Sequence, residues 1–129
     1  MRLGWFLTGM LTAAVATQVV LPANADSITG EKYPATRLVA PCQDADNDSR
    51  EVGQVAELEC EQYILGFVDA LAEVGAAGKG TDICVPVQNT ADEVRWAFVR
   101  WVYGDFSKRK KMPAADALLA SLKDSFPCK

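Results

Sequence analysis

The chain has 129 residues, of which 13 are basic and 17 acidic, with four cysteines and no histidine. Without histidine the Ser-His and Cys-His catalytic pairs and the His-ligated metal sites are excluded. A net charge of −4 gives no electrostatic reason to seek nucleic acid. The length predicts one domain.

Met1-Arg2-Leu3 sets one positive charge before an apolar stretch that opens with Gly4-Trp5-Phe6-Leu7 and thins out near Gln18, followed by Pro22 and Ala23-Asn24-Ala25. This is the pattern of a cleaved export signal over residues 1–25, with the cut before Asp26. Thr8, Thr12, Thr17 and Gln18 interrupt a run already marginal for a bilayer span, which weighs against a membrane anchor. No twin arginine and no cysteine at the cut suggest a Tat signal or a lipid anchor. Cleavage removes Arg2 and no acid, leaving 129 minus 25, or 104, residues and a charge of 12 minus 17, or −5. Residues 26–129 are expected to form a single periplasmic domain, free of the membrane, with secretion as the alternative.

After an irregular start over residues 26–30, a short first helix is expected from Pro34 to Val39, with Pro41 stopping it just before Cys42. Residues 44–49 read as an acidic loop. Asp44, Asp46 and Asp48 lack the glycine and distal glutamate of a calcium loop, so no metal is expected there. The second helix is predicted from Val55 to Val74. Cys60, Ile64, Phe67, Val68, Leu71 and Val74 recur at spacings of three and four, with Glu59, Gln62, Gly66, Asp69 and Glu73 on the opposite side. The run Gly75-Ala76-Ala77-Gly78-Lys79-Gly80 ends it, and lacks the strand and the Lys-Ser or Lys-Thr of a phosphate loop.

Thr90-Ala91-Asp92-Glu93 reads as a capping box opening a third helix, with Thr90 as N-cap. That helix is apolar over a wide arc: Val94, Phe98, Trp101 and Val102 form one stripe, and Trp96, Val99, Tyr103 and Phe106 another beside it. Either neighbours cover both sides, or the second stripe is a protein interface, where tryptophan and tyrosine are enriched. Beyond Gly104 and Asp105, the turn Ser107-Lys108-Arg109-Lys110-Lys111 is either solvated or a steering patch for an acidic partner. Pro113 opens a last helix carrying Ala115, Leu118, Leu119, Leu122 and Phe126, which Pro127 stops.

An even number of cysteines in a small exported chain predicts disulfides, and the gaps of 18, 24 and 44 residues are not those of a zinc site. Four cysteines allow three connectivities. Antiparallel helices on short loops bring the start of one helix beside the end of the next, which favours Cys42 with Cys60 and Cys84 with Cys128. The fold class expected is all-α, a small bundle of four to five helices with two intramolecular disulfides.

No catalytic constellation emerges. Glu61 with Asp69, or Glu59 with Glu73, are the only carboxylate pairs to consider, and their helical phase puts most of them on a wet face. Gly66 costs about 1 kcal/mol relative to alanine inside a helix. It is a neutral accident, a tight crossing within the domain, or a contact with a partner made together with Asp69.

Three segments, Cys60-Glu61-Gln62-Tyr63-Ile64-Leu65-Gly66-Phe67-Val68-Asp69-Ala70, Ile83-Cys84-Val85-Pro86 and Phe126-Pro127-Cys128, resemble the Rap/Tai family of type VI secretion immunity proteins. The resemblance covers roughly residues 38–129. It implies an exported, disulfide-bonded helical protein, often dimeric, that binds a peptidoglycan-degrading amidase effector and blocks its active-site groove, using no cofactor. The fold such a resemblance implies is also similar to that of the HdeA acid-stress chaperones, which makes a periplasmic stress chaperone the alternative function. The contact candidates are Gly66, Asp69, Lys79, Trp96, Trp101, Tyr103, Asp105, Lys108 and Arg109.

Overall fold

A computed structural model describes residues 32–129; the expected export signal and its cleavage point lie outside the described residues. Five helices follow one another: α1 (Ala35–Asp44), α2 (Arg50–Glu73), α3 (Thr90–Gly104), the single turn α4 (Phe106–Arg109) and α5 (Ala114–Ser125). Helix α3 is the central member, packing against α1, α2 and α5. The all-α class and both disulfides agree with the sequence.

The core is one cluster. Leu38 and Cys42 of α1, Cys60 and Ile64 of α2, Val94, Phe98 and Val102 of α3, and Leu118 and Leu122 of α5 are among its fully covered members. Each such large side chain contributes roughly 1.5–3 kcal/mol relative to exposure. On α2 the expected stripe holds through Leu71, but Val74 is exposed at the helix end. On α5 the buried alanines are Ala114 and Ala117 rather than Ala115.

Helix α1 does not stop at Pro41, as the sequence suggested, but runs through it to Asp44. Proline has no N–H for the carbonyl four residues back, here that of Arg37. The Tyr33 hydroxyl donates to that oxygen at 3.1 Å and fills the vacancy. Burial of Pro41 and Cys42 against α2 holds the last turn in place.

Helix α2 begins at Arg50, ahead of the predicted Val55, and Gly53 lies inside its first turns. A β-carbon at Gly53 would come within 2.5 Å of the Asn47 carbonyl oxygen, so the loop leaves no room for a side chain there. Helix α3 opens without the expected capping box. Asn89 takes the left-handed conformation (φ 51°) and its carbonyl accepts from the Glu93 N–H at 3.0 Å. The Thr90 hydroxyl turns back to the Pro86 carbonyl at 2.7 Å instead of capping. Asn tolerates positive φ better than most residues, which makes the alternative entry inexpensive.

Two isolated bridges tie the ends together: Pro34 pairs with Pro113, and Ile83 with Pro127. Among the described residues no helix is long and apolar enough to cross a membrane.

Candidate protein-binding surface

Helix α3 presents one face to the core and another to solvent. Val94, Phe98 and Val102 are buried, while Trp96, Tyr103 and Phe106 are exposed, Trp96 at 52%. Neither reading of the wide apolar arc holds for the whole second stripe: Val99 is buried in the core, while Trp96, Tyr103 and Phe106 are left uncovered within the described residues. The Tyr103 and Phe106 rings stack at 5.0 Å with only 7° between their planes. The Tyr103 hydroxyl donates to Gln43 Oε1 at 2.8 Å, which fixes the ring against α1.

Rigidity beneath this strip comes from Arg95, which the sequence reading passed over. Only 5% of it is exposed. Its Nη1 and Nη2 meet both carboxylate oxygens of Asp46 at 3.0 and 3.2 Å, Nη1 also donates to the Cys42 carbonyl at 3.2 Å, and Nη2 to Asp92 at 3.2 Å. Burial lowers its pKa most, and the bonds to Asp46 and Asp92 together outweigh that, so the net shift is upward and the guanidinium stays charged. The same group lies over the Trp96 ring at 4.8 Å. One side chain therefore ties the acidic loop, the Cys42 turn and α3 into a unit and fixes the first ring of the strip. The signal available in sequence was an arginine at a core phase of α3, with Asp92 three residues before it and three aspartates in the loop.

The basic turn is less free than its composition suggested. Arg109 donates to the Trp101 carbonyl and stacks on that ring, 3.9 Å from its centroid. Gly104 makes room for it, since a β-carbon there would lie 3.1 Å from the guanidinium. Trp101 is half-buried against the core. Lys108 pairs with Asp105 at 3.5 Å, and Lys110 sits over the Phe106 ring at 5.4 Å. Exposed positive charge remains at Arg100, Lys108 and Lys111.

The remaining candidates lie elsewhere. Gly66, Asp69 and Lys79 are exposed, and a β-carbon at Gly66 would meet nothing within 4 Å. No tight crossing inside the domain explains that glycine. Asp69 and Gly78 line a small cleft, about 250 Å³, with Val68 and Val85. The structure thus brings Trp96, Tyr103, Asp105 and Lys108 together along α3 and α4, and sets Asp69 with the glycine-rich loop as a second group.

Both bridges form as the helical topology suggested: Cys42 with Cys60 and Cys84 with Cys128, each with its Cα atoms 4.9 Å apart. Glu59, Asp69 and Glu73 are exposed, and no group of three or more metal-ligating side chains clusters among the described residues.

No curated protein matches the chain, and no solved structure does. A family model described as Rap1a immunity proteins matches residues 34–128, which includes every helix described above and all four cysteines. That family's proteins work as immunity proteins by binding a protein partner, in keeping with the uncovered aromatic side chains of α3 and α4. The chain belongs to the Rap1a immunity protein family.

Proposed function

We propose that this protein is exported to the periplasm, loses residues 1–25, and there neutralises a peptidoglycan amidase by stoichiometric binding over the amidase's active-site groove. No catalytic step and no cofactor enter this reading. The observation that carries it is the exposed aromatic strip Trp96, Tyr103 and Phe106 on a helix locked from below by Arg95. Aromatic and arginine side chains dominate the binding energy of protein interfaces, and a surface already rigid loses little entropy on docking. The exposed Arg100, Lys108 and Lys111 at its edge would steer an acidic partner.

The test is protection. Amidases from the same genome, each directed to the periplasm of a test bacterium, lyse it; co-production of this protein should prevent lysis by one of them. Trp96→Ala combined with Tyr103→Ala should abolish protection while leaving the fold intact. Failure to protect against any amidase, or full protection by the double variant, contradicts the proposal.

A further inference from the structure

A second uncovered apolar feature is a groove of about 470 Å³ between the end of α1 and the first turns of α2. Pro41, Val52 and Val55 line its apolar part, and Asp44, Glu51 and Glu59 its acidic part. Val52 is 48% exposed and Val55 67%, although positions at this spacing on a solvated helix face carry no requirement to be apolar. The size lies within the range of binding clefts.

Its two walls cannot spread. The Cys42–Cys60 bridge joins α1 to α2 next to Pro41 and Glu59. Gly53 packs against the Asn47 carbonyl, and Arg95 holds Asp46 just past the end of α1. A groove fixed by covalent and buried polar links is preorganised, and an occupant loses only its own freedom on entering.

We infer that this groove docks a basic amphipathic segment of a partner protein, with apolar residues one helical turn apart entering between Pro41, Val52 and Val55 and flanking lysines or arginines meeting Asp44, Glu51 and Glu59. Charge decides among occupants. Two copies of this chain meeting groove to groove would set three carboxylates against three, which is unfavourable, whereas a cationic amphipathic helix matches both the apolar floor and the acidic edge. The inference stands apart from the aromatic strip and does not require the amidase reading.

The probes are a synthetic Leu/Lys amphipathic helical peptide and its Leu/Glu counterpart, titrated into the oxidised protein of residues 26–129 and followed by amide NMR shifts. The Leu/Lys peptide should bind at least tenfold more tightly than the Leu/Glu peptide, with shifts confined to the end of α1 and the start of α2. Val52→Ser with Val55→Ser should weaken it about tenfold. Glu51→Lys with Glu59→Lys, which alters only exposed side chains, should reverse the preference between the peptides, and Trp96→Ala should leave both unchanged. Equal affinity for the two peptides, shifts centred on α3, indifference to the valine changes, or self-association through the groove in sedimentation would each overturn the inference.

Discussion

The two disulfides close the two ends of this bundle, and they do so in opposite ways. Cys42 and Cys60 are buried, surrounded by core side chains and roofed by the Arg95 network. Cys84 is exposed and Cys128 only half-buried, beside a loop in which Gly75, Gly78 and Gly80 all take positive φ. The first bridge is part of the core; the second is a clasp that holds the chain end to the glycine-rich loop, helped by the Cys84 N–H bond to the Phe126 carbonyl at 2.8 Å. A disulfide's contribution therefore depends on what surrounds it as well as on the loop it closes.

Loop length alone ranks them the other way. The chain-entropy relation gives roughly 3 kcal/mol for the 18-residue separation and roughly 4 for the 44-residue one. Removing the buried bridge also vacates core volume, which adds about 1–2 kcal/mol. Cys42→Ala with Cys60→Ala should therefore destabilise by about 4–5 kcal/mol, at least as much as the roughly 4 of Cys84→Ala with Cys128→Ala, in denaturant titrations. If the 42/60 pair instead costs less by the amount loop length dictates, its burial contributes nothing. Under native conditions, dithiothreitol should reduce Cys84–Cys128 first, because the buried bridge opens only with the core. Mass mapping of alkylated thiols during reduction reads that order directly.

The Arg95 network sharpens the contrast further. Arg95→Ala leaves the Cys42 carbonyl without this donor and empties a core position, while its two carboxylate partners, already half in water, lose little. A loss of about 2 kcal/mol is expected, well below the full penalty of a buried pair because Asp46 and Asp92 remain solvated. Lys108→Ala, which breaks an exposed pair at the α4 end of the same strip, should change stability by less than about 0.5 kcal/mol. Equal effects in chemical denaturation would mean that Arg95 is no lock.

Much of this was legible in the sequence. Periodicity located α2, α3 and α5, and the antiparallel topology chose the cysteine pairs, because both follow from apolar spacing and short loops. What sequence rules missed lay at residues whose role is set by a distant neighbour. Pro41 reads as a stop until Tyr33 is seen donating to Arg37; Val55 reads as the start of α2 until Gly53 is seen inside the helix against the Asn47 carbonyl; Thr90 reads as a cap until Asn89 takes over. The aromatic strip was visible as excess apolar surface on α3, but Arg95, its support, was not, since two of its three partners, the Cys42 carbonyl and Asp46, lie 53 and 49 residues away.

The two glycines of α2 test the same lesson. Gly53→Ala forces a β-carbon against backbone and should cost about 2 kcal/mol. Gly66→Ala points into open space and should stabilise by about 0.5–1 kcal/mol through helix propensity. Thermal melts of the two variants should move in opposite directions; movement in the same direction would place a contact at Gly66 that this account lacks.

The smallest effect is expected at high pH. Burial, aided by Glu59, raises the Tyr33 hydroxyl above its ordinary pKa of 10.0, and burial, aided by Tyr33, does the same for Tyr63. A raised folded-state pKa means the unfolded chain gives up these protons first. Their contribution is fully present below about pH 10 and falls away as pH climbs toward the higher folded-state values. Tyr63→Phe should flatten that decline in stability-versus-pH measurements, and an unaltered slope would remove Tyr63 from the account.

On the proposed function, partner recognition resides in the uncovered face of α3 and α4, held rigid by Arg95. The decisive measurement is hydrogen exchange on the complex with whichever amidase the protection experiment identifies. New protection is expected over residues 96–110, lost together with binding in Trp96→Ala with Tyr103→Ala. Protection confined to the glycine-rich loop or to the α1–α2 groove, with residues 96–110 exchanging as in the free protein, would contradict it.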